Sequence, residues 1–181
     1  MRRQEMAGIT LVVGLGKSGL SAARALKTLG AGFAVTDSRT DPPGLEALRA
    51  ECPDAPLFLG GFDPAAFAHA SRLLVSPGVS VKTPAIAEAA ARGIPVWGDI
   101  ELLARLTTAP IAGITGSNGK STVTTLLGLM TECAGVRAAV GGNLGEPALD
   151  LWLQQERKAG SAPDCYVLEL SSFQLETTHS L

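Results

Sequence analysis

Basic runs and long apolar stretches are scarce in this chain of 181 residues, and each shortage excludes a class of protein; aromatic residues are few as well, at 4%. Lys and Arg number 15 against 17 Asp and Glu, a formal net charge of −2, and the basic residues are not clustered. That balance fits neither a nucleic-acid surface nor a polybasic membrane patch. No apolar stretch approaches the ~18–20 residues that span a bilayer, so no membrane insertion is expected. The start, Met1-Arg2-Arg3 ahead of Ile9–Val13, has the outline of an export signal, but Glu5 interrupts it and Lys17 follows the short apolar run. It reads as a buried strand, and the protein as cytoplasmic. Cys52, Cys133 and Cys165 are odd in number and contain no C-x-x-C pair, which argues against a disulfide framework or a zinc site. They are expected to be reduced thiols packed as small hydrophobes. Charged residues are also few, at 18%, while apolar residues at 46% suffice for a core and exclude bulk disorder.

What is present is glycine, 21 residues of it, distributed between short apolar runs. The order is strand, glycine-rich turn, helix, strand, repeated. Strands are expected at Ile9–Val13, Phe33–Thr36 (ending at Asp37), Leu57–Leu59, Leu73–Ser76 and Ile94–Val96. Helices are expected from the loop after Val13 to Gly30, over Leu45–Ala50 and Pro64–Ala70, and from the Thr83-Pro84 start through Ala91 to Gly93. Asp99–Leu106 closes this first unit as a helix, and Thr107–Pro110 reads as a linker. The second unit opens with Ile111–Thr115 and a helix from Lys120 to Ala134. Strands at Val136–Val140 and Tyr166–Leu170, a helix over Pro147–Leu153 and a polar connection at Glu156–Pro163 follow. Helices alternating with short apolar strands imply an α/β fold with parallel sheets and right-handed crossovers. The expected organisation is a Rossmann-like domain over residues 1–106 and the truncated start of a P-loop domain over 107–181. His69 and His179 match no motif and are expected at the surface.

Two loops carry chemistry. Gly14-x-Gly16-x-x-Gly19 lies between a strand and a helix, with Asp37 at the end of the next strand. Such glycines let the backbone turn tightly and approach a diphosphate placed against the helix N-terminus, while Asp37 can accept hydrogen bonds from a ribose or base. NAD, another nucleotide diphosphate, and plain strand–helix packing all fit this loop. The second loop, Gly113-Ile114-Thr115-Gly116-Ser117-Asn118-Gly119-Lys120-Ser121-Thr122, ends in the Gly-Lys-Ser that a triphosphate requires. Backbone N–H groups wrap the phosphates, Lys120 reaches the β/γ oxygens and the Ser121 hydroxyl can ligate Mg²⁺. Ile114 stands where the strict pattern has glycine, so the loop is a variant P-loop. ATP with Mg²⁺ is the expected ligand of Gly116, Ser117, Asn118, Gly119, Lys120, Ser121 and Thr122.

The Gly116–Thr122 loop resembles that of the Mur ligase superfamily. Gly14–Ala22, Gly141–Leu149 and Val167–Thr177 narrow the resemblance to members that add D-glutamate to UDP-N-acetylmuramoyl-L-alanine in peptidoglycan-precursor synthesis, with Ser171-Ser172-Phe173-Gln174 the most discriminating segment. The resemblance implies that the first loop holds UDP rather than a redox cofactor. It assigns Leu15, Gly16, Lys17 and Ser18 to the diphosphate, and Asp37 and Ser38 to the uridine; Ser76-Pro77-Gly78 closes a strand facing the same crevice and reads equally as pocket lining or as an ordinary turn. It implies Glu169 as the Mg²⁺-binding acid, catalytic together with Lys120, and strand-end geometry agrees, since the carboxylate would lie beside the phosphate loop. A buried salt bridge is the other reading of Glu169. Asn143 resembles a residue contacting the substrate near its reacting end, with Ser171 and Ser172 as further polar candidates. The chemistry implied is ATP-driven amide formation through an acyl phosphate by a monomer. The metal-site histidine, the modified lysine, the adenine pocket and the D-glutamate site are expected beyond Leu181, leaving this chain inactive alone. A nucleotide-binding module or truncated product without catalysis is the alternative. An NAD oxidoreductase fits less well because of the second loop.

Overall fold

A computed structural model describes residues 8–157 and 162–181 of the chain. The Met1-Arg2-Arg3 start with Glu5, and residues 158–161 of the polar connection, lie outside the described residues. Contacts divide the chain into Met1–Asp99 and Ile100–Leu181.

The first unit runs β1 (Ile9–Val13), α1 (Lys17–Thr28), β2 (Phe33–Asp37), α2 (Leu45–Glu51), β3 (Leu57–Leu59), α3 (Pro64–Ala68), β4 (Ala70–Val75), α4 (Pro84–Ala91) and β5 (Val96–Trp97). Its sheet has the order β3-β2-β1-β4-β5, and every pair is parallel. Strands of such a sheet are covered on both faces, which explains why β1 reads as an unbroken β-branched run instead of an alternating one. Leu11, Val13, Leu73 and Val75 meet Phe67, Ile86 and Ala89 from α3 and α4 in a buried core. Val13 lies in register with Thr36 on one side and Val75 on the other, so the turns after β1, β2 and β4 emerge at one edge.

The second unit contains α5 (Asp99–Leu106, its first residue falling before the division), β6 (Ile111–Ile114), α6 (Lys120–Cys133), β7 (Ala138–Gly142), α7 (Ala148–Arg157), β8 (Cys165–Glu169) and α8 (Ser172–Glu176). Its parallel sheet has the order β6-β8-β7. The buried side of α6 includes Thr124, whereas Val123, Leu126, Leu129 and Met130 are exposed.

Several expectations shift. β4 begins at Ala70, ahead of the expected Leu73, and shortens α3 to Ala68. The disguise is Arg72, a cation within a sheet, whose guanidinium stacks 4.1 Å over the Trp97 ring and donates to Thr10 Oγ1 at 3.2 Å. β7 is displaced toward the C-terminus, because its two glycines, Gly141 and Gly142, pair with Leu168 and Glu169. α7 continues past Leu153, β5 is the pair Val96–Trp97, β6 stops at Ile114, and α8 is an element the periodicity did not indicate. Thr83 sits at the N-cap of α4 without a side-chain capping bond. No cysteine is in a disulfide, but only Cys52 is buried, and Cys133 is exposed. His69 and His179 are both exposed.

The division falls at the start of α5, ahead of the residue 106 boundary read from the sequence. Glu101 accounts for it. Its carboxylate is fully buried and accepts the N–H groups of His179 (2.7 Å) and Ser180 (2.9 Å), the Ser180 hydroxyl (2.7 Å) and Arg105 Nε (2.6 Å). Burial would raise its pKa, but these donors outweigh burial and hold it below the ordinary carboxylate value. Glu101→Ala should therefore release the segment after α8: hydrogen exchange at the His179 and Ser180 amides is expected to accelerate about tenfold or more, with β1 and β4 amides unchanged. Unchanged exchange at those two amides would remove Glu101 from this role.

Candidate functional site

The register of the second sheet assembles its site. Ile114, Glu169 and Gly142 are lateral neighbours at the carboxyl ends of β6, β8 and β7. The phosphate-type loop follows Ile114, and Asn143 follows Gly142. The Asn143 N–H donates to the Glu169 carbonyl (2.8 Å), and the Leu170 N–H to the Ile114 carbonyl (2.8 Å), so the three exits are tied together by backbone bonds. Gly142 has φ +99°, and a Cβ there would lie 2.5 Å from the Glu169 carbonyl oxygen; only glycine fits.

Into this junction Glu169 places a carboxylate on a residue only 4% exposed. Oε2 accepts from Ser121 Oγ at 2.6 Å and Oε1 from Asn143 Nδ2 at 2.8 Å. The Ser121 hydroxyl and then the Asn143 amide hold its pKa below the ordinary value against burial, with Lys120 adding a charge contribution. The hydrogen-bonding side chains on this carboxylate are neutral, so the buried salt bridge is not what the described residues form. Gly119, at φ +76°, is the N-cap of α6, and no acidic side chain occupies that helix's first turn. The first N–H groups of α6 thus have no intrahelical partner and suit an anion. Lys120 Nζ donates to the Gly116 carbonyl at 2.7 Å, which keeps the ammonium at the loop; Ser117, Asn118 and Thr122 are exposed around it.

The Ser121 and Glu169 oxygens form a hard, oxygen-only donor pair beside the loop. Among the described residues no group of three or more His, Cys, Asp or Glu exists. That combination fits Mg²⁺, which is held by one or two protein oxygens together with phosphates rather than by a protein cage. Ser171 is the N-cap of α8: its hydroxyl accepts the Gln174 N–H (3.2 Å) while Gln174 Oε1 accepts the Ser171 N–H (3.0 Å), a capping box that starts the helix. Ser172 is the exposed first residue of that helix.

In the first unit the glycine fingerprint divides its labour. A Cβ on Gly19 would lie 1.9 Å from the Gly14 carbonyl oxygen, whereas one on Gly16 would meet nothing within 4 Å. Gly19 therefore serves packing of α1 on β1, and Gly16 leaves open space at the N-cap of α1, beside exposed Lys17 and half-buried Ser18. Ser76 braces the turn, donating from Oγ to the Gly14 carbonyl at 2.7 Å; Gly78, exposed, lies in the turn that follows. Ser38 is exposed next to Asp37.

Leu15 and Asp37 are turned inward. The Leu15 side chain is fully buried, its N–H donates to Asp37 Oδ2 (2.7 Å), and its carbonyl accepts from the Gly44 N–H (3.1 Å). Asp37 also accepts the Arg39 N–H (2.9 Å), Nε (2.8 Å) and Nη2 (2.7 Å). Burial pushes the Asp37 pKa up, but the Arg39 guanidinium and the two backbone donors prevail and hold it at about 2. Arg39 is thus a residue of this site that motif reading did not single out; its only signal in the sequence is a cation two positions after the strand-end acid.

Residues 9–98 match the family model described as Mur ligase MurD-like, N-terminal domain. The UDP-N-acetylmuramoylalanine--D-glutamate ligase of Nitrosococcus oceani is 57% identical over 177 residues, which is 98% of this chain and 38% of that protein. The ligase of the same name from Marinobacter nauticus is 58% identical over 95% of this chain and 37% of its own length. The chain therefore spans somewhat over a third of the curated relatives it matches. Among solved structures, a UDP-N-acetylmuramate:L-alanyl-gamma-D-glutamyl-meso-diaminopimelate ligase from Neisseria meningitides covers 90% of this chain at TM-score 0.54 and 20% identity, with 52% of that chain covered. A pseudomurein peptide ligase type C from Methanothermus fervidus covers 90% at TM-score 0.51 and 24% identity, with 32% of that chain covered. These two likenesses show a shared fold.

The two glycines supply a test. Gly16→Ala should melt within about 1 °C of the parent chain, because its side chain enters open space, yet weaken nucleotide binding. Gly19→Ala should lose roughly 2–3 kcal/mol of first-unit stability through backbone collision. Equal melting temperatures for the two variants would contradict the division.

Proposed function

We propose that this chain, whose residues 9–98 match the Mur ligase MurD-like N-terminal domain, is the nucleotide-handling portion of an ATP-dependent ligase that joins D-glutamate to UDP-N-acetylmuramoyl-L-alanine. The observation that carries the reading is the Ser121–Glu169–Asn143 network at the mouth of the glycine loop. The high identity to D-glutamate ligases supports the choice of substrate. In this reading the first unit holds the UDP moiety and the second holds ATP.

Gly16, Lys17 and Ser18 at the start of α1 approach the diphosphate of UDP, with Gly78 and Ser38 at the same sheet edge. In the second unit the backbone N–H groups of Gly116–Gly119 and the first turn of α6 receive the phosphates of ATP, and Lys120 neutralises charge that develops on the β/γ oxygens. Ser121 and Glu169 would hold Mg²⁺, which supplies charge neutralisation and a fixed orientation of the phosphates when bound. Asn143 keeps the Glu169 carboxylate oriented by holding Oε1, leaving Oε2 directed at Ser121. The substrate carboxylate attacks the γ-phosphorus, ADP departs, and an acyl phosphate results. The amine of D-glutamate then attacks the acyl carbon and displaces phosphate, forming the amide. Positioning is the main contribution these residues can make to in-line transfer.

Titration calorimetry tests the assignment of both units. UDP and UDP-N-acetylmuramoyl-L-alanine should bind more tightly than NAD, and ADP should bind in a Mg²⁺-dependent manner. Glu169→Gln is expected to lose at least about tenfold of the Mg²⁺-dependent gain while retaining UDP affinity. NAD binding tighter than both uridine ligands sinks the first assignment. Unaltered Mg²⁺ dependence in a folded Glu169→Gln chain sinks the second.

A further inference from the structure

We propose that the ion pair between Arg39 and Asp37 is a latch on the nucleobase end of the first unit's site: the Arg39 guanidinium occupies the acceptor positions that an in-plane N–H of a nucleobase would take, and it must swing into solvent before the base is held there. The inference deepens the assignment of this unit to a uridine nucleotide and rests on it.

The acceptor capacity of Asp37 is already filled. A carboxylate offers about four lone-pair positions. On Asp37, Oδ1 receives the Arg39 N–H and Nε, and Oδ2 receives the Leu15 N–H and Arg39 Nη2, all within 2.9 Å. No position is left for a ligand donor, although this acid stands at the carboxyl end of β2, where a fold of this kind presents its nucleotide-facing acid.

The four donors are not equally replaceable. The Leu15 N–H is fixed by the turn between β1 and α1, whose carbonyl is in turn held by Gly44. The Arg39 N–H is fixed by the chain leaving β2, where the Gly60 N–H bonds the carbonyls of both Asp37 and Arg39. Only the guanidinium sits on a rotatable side chain. It is 51% exposed, against 3% for the Asp37 side chain it covers. Any ligand group that reaches Asp37 must therefore displace the guanidinium and leave both backbone donors in place.

Displacement has a cost, because a neutral N–H replaces a charge-assisted bidentate pair. The ligand then binds only the fraction of molecules with the arm released, and its apparent affinity falls by that fraction. A base carrying an imide N–H, as uracil does at N3, can recover one of the vacated positions. A base without such a donor recovers none. The latch thus weighs only on bases with that donor, since those lacking it leave the arm in place.

The test is titration of the 181-residue chain with UDP and with N3-methyl-UDP, which lacks the imide N–H. Arg39→Met keeps the length of the arm and removes its donors; Asp37 retains both backbone bonds, so folding is preserved. UDP affinity is expected to rise about three- to tenfold in Arg39→Met, with Arg39→Lys in between. N3-methyl-UDP should bind both proteins equally and more weakly than UDP binds Arg39→Met. In parent chain labelled with ¹⁵N, the Arg39 Nε–H signal should be protected from exchange when free and lose that protection at saturating UDP. UDP affinity that is unchanged or lower in Arg39→Met overturns the latch and leaves the uridine assignment standing, as does a gain that survives N3-methylation. UDP that binds neither protein overturns the assignment and the latch together.

Discussion

A carboxylate placed at the end of a buried strand must find donors, and the donors that Glu169 finds tie three strand exits into one site. Leaving that group unsatisfied would cost several kcal/mol. Ser121 meets one oxygen and Asn143 the other, at 2.6 and 2.8 Å, so the phosphate-type loop, the central strand and the turn after β7 are held in a common frame. Remove the lateral register of Ile114, Glu169 and Gly142 and the three groups would lie on different levels of the sheet. The geometry of the site is thus a consequence of parallel pairing, in which all carboxyl ends share one edge.

The same architecture is used differently in the two units. The first ends β1 in a loop whose backbone is consumed internally at Leu15 and open at Gly16, so only the helix end faces outward. Its strand-end acid, Asp37, is paired with a cation and carries a pKa of about 2. The second ends β6 in an exposed loop whose strand-end acid is bonded to neutral side chains. An acid already neutralised by arginine suits a neutral or displaceable ligand group. An acid held ionised by a hydroxyl and an amide suits a cation. On the proposed function, the contrast matches a uridine end held by the first unit and a metal-bound triphosphate held by the second.

Much of this was legible in the sequence because it is local. β-branched runs fully buried in parallel sheets read directly as strands, and Gly14–Gly19 and Gly116–Lys120 mark strand-to-helix turns by backbone requirement. What escaped depends on distant partners. Arg72 reads as a strand breaker until Trp97 and Thr10 are beside it. The break at α5 depends on Glu101 gripping residues near position 180. The internal bonds of Leu15 to Asp37 and Gly44, and the capping of α8 by Ser171, likewise join groups that the motifs present only as ligand candidates. The capping box of α8 was present as Ser171-x-x-Gln174, a short-range signal masked by its own motif-like appearance. The pairing of Asp37 with Arg39 depends on the backbone path leaving β2, of which the sequence shows only the two-residue spacing.

On the proposed function, the ends of β6, β7 and β8 form one metal-and-phosphate site. Paramagnetic broadening tests it most directly, using ADP with Mn²⁺ in place of Mg²⁺ and amide spectra of the second unit. Broadening should be strongest at Ser121, Asn143 and Glu169 and should fade along β8 toward Cys165. Broadening centred at the Cys165 end, or reaching Ser121 without Asn143 and Glu169, would contradict it.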